Sequence, residues 1–211
     1  IDVTMTDLLK QLIRARSTPE TGELAAAEVI AGYFGRHGIA CQVDRWDDNR
    51  ANVVAHIRSS GKRPALFFVC HLDVVSPGEE PWSHGPFDAH EVDGKIYGRG
   101  AVDMKGGTVA AVAAICETLA CGTELEGDIF FAATAGEETH SEGILRLMQN
   151  AESLPTAAGV IVPEPTDLAV VTAHRGLLWL QITTKGKAVH SSMPHRGVNS
   201  PNSFFWGGCG R

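Results

Sequence analysis

The chain has 211 residues, and its 18 Lys plus Arg against 25 Asp plus Glu leave a formal charge of −7 at pH 7. At roughly 100 to 200 residues per domain this is one substantial domain and part of another, and 44% hydrophobic with 20% charged residues describes a folded rather than a disordered chain. A net acidic chain with scattered bases argues against nucleic acid as a partner. Apolar runs such as "AVAAI" and "DIFFAATA" fall well short of the roughly 20 residues that span a bilayer. No membrane partner and a cytoplasmic location are therefore expected.

The first element read from the sequence is a helix over "TDLLKQLIRAR", with Leu8, Leu9, Leu12 and Ile13 at helical spacing and Thr4 or Thr6 as its cap. A second helix, "TGELAAAEVIAGYFGRHG", runs to a glycine stop at Gly38. Strands are expected at "ACQVDRW", "NVVAHIR" and "PALFFVC", the last a continuous apolar run of the kind a doubly covered strand shows. A long Gly/Pro-containing loop leads to a helix at "GTVAAVAAICETLA", a strand at "DIFFAATA", a helix at "SEGILRLMQNA" and a strand at "GVIVP". This alternation predicts an α/β fold with a mostly parallel central sheet flanked by helices. From about residue 169 the texture changes to closely spaced strand-like runs, "AVVTAH" and "LLWLQITTKG", which places a domain boundary there.

Five cysteines, Cys41, Cys70, Cys116, Cys121 and Cys209, form an odd set without a CxxC pair, with Cys70 and Cys116 inside apolar runs, and are read as reduced, buried thiols.

Three of the expected strands end in polar clusters. "PALFFVC" runs into His71 and Asp73, "DIFFAATA" into Glu137 and Glu138, and "GVIVP" into Glu164. In open α/β sheets ligands bind beyond the carboxyl ends of the strands. One such residue alone is best read as solvated loop, whereas three clusters together point to a site. An imidazole with several carboxylates and no thiolate suits Zn²⁺, and equally Co²⁺ or Mn²⁺. Successive side chains of an extended segment point to opposite sides, so Glu137 and Glu138 can take separate roles. His71 and Asp73, two apart, share a side, which lets the carboxylate orient the imidazole. The Gly-rich "GRGAVDMKGG" around Asp103 lacks the GxxxxGK[ST] pattern of a phosphate-binding loop.

The run from "HLDVV" through "PWSHGPFDAHEVDGKIYGRGAVDMKGG", followed by "GEET", "PEPT" and "HRG", resembles the zinc metallopeptidases and deacylases that include acetylornithine deacetylase, succinyl-diaminopimelate desuccinylase and carboxypeptidase G. The resemblance extends over most of residues 50 to 200. It implies a zinc-exopeptidase-like fold with two zinc ions per site, and hydrolysis of the amide bond of N-acyl amino acids or small peptides by a metal-activated water. It implies residues 1–168 as the N-terminal part of a metal-binding catalytic domain and 169–211 as the beginning of a lid or dimerisation domain, with a homodimer as the full-length form. By the same resemblance His71 and Glu164 are ligands to one metal, Glu138 is a ligand to the other, and Asp103 bridges them. Glu137 is then the general base, Asp73 the acid behind His71, and His190 in "GKAVHSSMPH" the lid histidine that reaches the neighbouring subunit's site. Arg175 is a candidate for substrate or lid contacts, whereas His174, His195 and Lys105 are left outside the site.

The sequence departs from the family's pattern at its end. Relatives supply a further His for the second metal beyond the position of Arg211, and here "PNSFFWGGCGR" stands where they show a helix. Together with a first residue, Ile1, that is not Met, this reads as an incomplete or truncated member. The alternative expectation is a catalytically incomplete fragment that folds and binds at most one metal.

Overall fold

The structure, a computed structural model, describes residues 4–173, 176 and 182–198. His174, Arg175 and the aromatic run Phe204, Phe205 and Trp206 lie outside the described residues. The chain divides into two compact units, Ile1–Ala169 and Val170–Arg211.

In the first unit, helix α1 (Met5–Arg14) begins at Thr4 in a reciprocal cap. The Thr4 hydroxyl accepts from the Asp7 backbone N–H (3.1 Å), and the Asp7 carboxylate accepts from the Thr4 N–H (3.2 Å). Its apolar face buries Leu8, Leu12 and Ile13. Helix α2 (Leu24–Arg36) starts three residues later than the composition suggests, because Gly22 takes a left-handed turn (φ +73°) against the backbone of Asn49. Gly38 (φ +70°) lies just beyond its end.

The chain then forms β1 (Cys41–Arg45), β2 (Ala51–Ile57) and β3 (Arg63–His71). Inside the stretch read as one long loop lies a short antiparallel hairpin, β4 (His90–Val92) and β5 (Lys95–Tyr97). Its turn is Asp93-Gly94, both with positive φ (51° and 71°), the geometry that makes Asp-Gly a hairpin signal. Helix α3 (Gly107–Ala120), strand β6 (Gly127–Thr134), helix α4 (Glu142–Met148) and strand β7 (Ala157–Ile161) follow.

The five-stranded sheet has the order β1-β2-β6-β3-β7. β6, β3 and β7 are parallel, and β2 is antiparallel to both β6 and β1, so β2 alone runs against the other four strands. Ile30 and Phe34 of α2, Val112 and Ile115 of α3, and Val53 and Phe131 of the sheet form the main core, with Phe34 and Phe131 edge to face at 5.2 Å between centroids. Each such side chain contributes about 1.5–3 kcal/mol by leaving water. Because β3, β6 and β7 are parallel, their carboxyl ends share one edge of the sheet. His71, the last residue of β3, pairs with Thr134, the last of β6.

In the second unit, Lys187 and Val198 form an antiparallel bridge and Pro194–Arg196 a single 3-10 turn. The described residues of the two runs expected as strands, 169–173 and 182–186, are irregular. Among the described residues no helix is long and apolar enough to cross a membrane. Cys70 and Cys116 are buried, but Cys41 is half-buried and Cys121 exposed, and all four are free thiols.

Candidate metal centre

The site is built at the shared strand edge. His71 ends β3 and is 2% exposed. Its Nδ1 lies 3.0 Å from the Asp73 backbone carbonyl, which can only accept, so Nδ1–H donates there and Nε2 is the nitrogen turned to the carboxylates. Nε2 is 3.1 Å from Asp103 Oδ1 and 3.7 Å from Glu164 Oε1. Ligating atoms of His71, Asp103 and Glu138 all lie within 4.8 Å of one another, the only such group of three found among the described residues. Asp103 is carried by the irregular turn Ala101–Gly106, entered through Gly100 (φ +80°), which leads into α3. Gly107, the first residue of α3, packs against the Pro163 carbonyl where no Cβ would fit. That close approach brings the β7 end, with Glu164, beside the Asp103 turn.

Asp73 does something other than its spacing from His71 suggests. Its carboxylate Oδ1 stands 3.6 Å from Nδ1, farther than its own main-chain carbonyl. The carboxylate instead accepts the backbone N–H groups of Glu137 (3.0 Å, Oδ1) and Glu138 (2.9 Å, Oδ2). A buried residue at the end of β3 thus holds both the imidazole and the turn after β6.

That turn has further supports. Asn52, 1% exposed in β2, accepts from the Ala135 N–H (3.0 Å) and donates to the Gly143 carbonyl (2.9 Å). Gly136 has φ +74°, and a Cβ there would stand 2.7 Å from Arg50 Nη2 and press on the Glu142 carboxylate. Gly136→Ala is therefore expected to cost about 1–3 kcal/mol. A thermal melt reads this directly, and an unchanged midpoint would contradict the placement.

The electrostatics are those of a site short of positive charge. Burial opposes protonation of His71, but the charges of Asp73, Glu164 and Glu137 outweigh it and hold the imidazole pKa above its ordinary value. Glu138 is pushed up by burial first and then by Asp103. Glu164 is also raised, by burial first and by Asp103 and Glu137, against the pull of His71. One nitrogen and three carboxylate oxygens, with no thiolate, suit a borderline divalent cation, whose charge would relieve this crowding. The residues present fit such an ion.

Lys105 stands close behind the Asp103 turn. It is 2% exposed, and its Nζ donates to the Leu12 carbonyl (2.7 Å), tying the Asp103 turn to the end of α1. Burial pushes its amine down to about 7, with Asp73 acting in the opposite direction. Arg50 and Asn52 carry no signal in the sequence, since "DDNRAN" contains no motif. His190 belongs to the second unit, where it is exposed and its Nδ1 lies 2.8 Å from Ser192 Oγ.

Residues 67–195 match the profile of Peptidase family M20/M25/M40. A probable succinyl-diaminopimelate desuccinylase of Staphylococcus epidermidis is 37% identical over 194 residues, which are 92% of this chain and 47% of that protein. The chain thus spans about half the length of the curated relatives it matches. Among solved structures, human carnosine dipeptidase 1 is similar with a TM-score of 0.62 at 22% identity, covering 75% of this chain and 37% of that one. A dinuclear metal binding peptidase of the M20 family from Bacillus subtilis is similar with a TM-score of 0.52 at 19% identity, covering 75% and 42%. At these identities the two structures speak for the fold. The profile match begins within β3 ahead of His71 and ends beyond Glu164, so it takes in His71, Asp103, Glu138 and Glu164, and by that match the chain belongs to Peptidase family M20/M25/M40.

Proposed function

We propose that the protein carrying this chain hydrolyses the amide bond of N-acyl amino acids or small peptides with the help of two divalent cations, Zn²⁺ being the first choice. The observation that carries this reading is the convergence of His71, Asp103 and Glu138 within 4.8 Å, with Glu164 at 3.7 Å from the same imidazole nitrogen. His71, Asp103 and Glu164 would hold one cation, and Asp103 with Glu138 would contribute to the second. When bound, such ions lower the pKa of a coordinated water and polarise the scissile carbonyl.

The chain's own residues would do the remaining work. Glu137, exposed on the turn after β6, takes a proton from the attacking water at its carboxylate and returns it to the leaving amine. Asp73 fixes the imidazole tautomer through its carbonyl and the turn through its carboxylate. His190 is assigned to the oxyanion across a homodimer, with 169–211 as the start of a lid or dimerisation domain. The name of the desuccinylase relative supports a substrate of the N-acyl amino acid class. The free thiols of the described cysteines suit a cytoplasmic setting.

Metal analysis combined with hydrolysis of N-acetyl and N-succinyl amino acids and of dipeptides tests the reading. Two ions per chain are expected, with turnover that a chelator abolishes and Zn²⁺ or Co²⁺ restores. One weakly held ion and no turnover would instead establish the alternative, a chain that folds around an incomplete catalytic site.

A further inference from the structure

Behind the ligand cluster lies an ion pair that the proposed chemistry does not use. Glu23, just ahead of α2, is 1% exposed, and its Oε2 accepts from Arg50 Nε at 2.7 Å. Arg50 reaches onward with Nη2 to Glu142 Oε2 at 3.3 Å. The two partners are brought together by the backbone, because the Leu24 N–H donates to the Asn49 carbonyl (2.8 Å). Burying a carboxylate costs several kcal/mol, and well-packed apolar residues usually serve stability as well as a buried ion pair does. The burial is felt: it raises the Glu23 pKa, Arg50 works against the rise, and the charge of Asp73 adds to it. Glu23 therefore lies within electrostatic reach of the residue that holds the Glu137 and Glu138 amides.

What Arg50 touches gives the pair a purpose. Its Nη2 and the Glu142 carboxylate occupy the space over the Cα of Gly136, the residue directly before Glu137. The turn is thus held through its N–H groups by Asp73 and over Gly136 by Arg50 with Glu142. A planar guanidinium with donors on two sides can bridge Glu23 and Glu142 at once, which a single ammonium cannot do in the same geometry.

We propose that the Glu23–Arg50–Glu142 bridge is a positioning device that sets the Gly136–Glu138 turn, and through it the placement of Glu137 and Glu138 at the metal centre. Arg50 and Glu23 are positioning residues and do not themselves meet the metal or the substrate. The inference rests on the proposed function for the roles of Glu137 and Glu138, but its geometry stands apart from any activity.

The test uses the full chain with two variants and two readouts, amide hydrogen exchange at Glu137 and Glu138 without metal and Co²⁺ titration followed by visible absorption. The double variant Glu23→Gln with Arg50→Met removes both charges together, so neither is left buried alone. Arg50→Lys keeps the pairing with Glu23 and loses the bridge to Glu142, and serves if the double variant does not fold. Either variant is expected to exchange both amides on the order of 10-fold faster, with β6 amides such as Phe131 unchanged. Co²⁺ affinity is expected to fall about 10- to 100-fold, with an altered spectrum. A folded variant with wild-type exchange at both amides and a wild-type Co²⁺ spectrum overturns the proposal, as does a uniform rise in exchange that includes β6. If the exchange result holds while the wild-type chain shows no hydrolysis, the proposed function fails and the positioning role stands.

Discussion

Replacing Glu137 with Gln is expected to lower turnover about 10²- to 10⁴-fold while the protein keeps its metal content. The loss corresponds to about 3–5 kcal/mol of transition-state stabilisation. Gln preserves the size and the backbone of the turn, so the N–H bond from residue 137 to Asp73 is retained. What it removes is a carboxylate able to take and return a proton. Glu137 is set apart from its neighbour by the structure, for Glu138 contributes an atom to the three-residue ligand group and Glu137 does not. Steady-state rates together with metal analysis of the purified variant check the result. A loss below 10-fold, or a parallel loss of metal, would mean that the base lies elsewhere or that Glu137 is itself a ligand.

The second large effect is expected at Asp73. In Asp73→Ala two N–H groups, those of Glu137 and Glu138, lose their acceptor at once. At about 1–3 kcal/mol for each unsatisfied donor, and with water able to reach the half-buried turn, the cost is about 2–4 kcal/mol. Metal affinity should fall about 10- to 100-fold as the turn carrying Glu138 loosens. Asp73→Asn should lie between, because its amide offers one carbonyl oxygen where the carboxylate offers two. Denaturant melts and metal titration of both variants give the order wild type, Asn, Ala. Asn and Ala indistinguishable in both measurements would show that the carboxylate does not carry the turn.

The two effects differ in how far the sequence announces them. His71, Asp73, Glu137, Glu138 and Glu164 stand directly after apolar runs, so the α/β pattern alone sends them to one edge of the sheet. The reversed direction of β2 is not legible in the same way, since an apolar strand reads alike in either sense. That reversal carries Arg50 and Asn52, at the start of β2, to the end of β6, in a register where Val53 faces Ala133. No local pattern in "DDNRAN" marks them. The exchange of roles between the Asp73 carbonyl and carboxylate is likewise a matter of chain direction after β3, which spacing along an extended segment does not fix. The β4–β5 hairpin is not read from the sequence, because its one signal, Asp93-Gly94, sits among glycines and prolines that make the whole stretch read as loop.

The four proposed ligands lie far apart along the chain, which sets when in folding a cation can bind. His71 ends β3, Asp103 lies between β5 and α3, Glu138 follows β6 and Glu164 follows β7. These residues meet only after β3 has paired with both β6 and β7, parallel partners that require long crossovers. A nascent or unfolded chain therefore presents scattered single ligands rather than a chelate. A cation that binds only the assembled site stabilises it by mass action, about 2.7 kcal/mol at a hundred times its dissociation constant. It does so by slowing the opening of the sheet's carboxyl edge rather than by hastening its closure, so that edge becomes a latch on the finished fold.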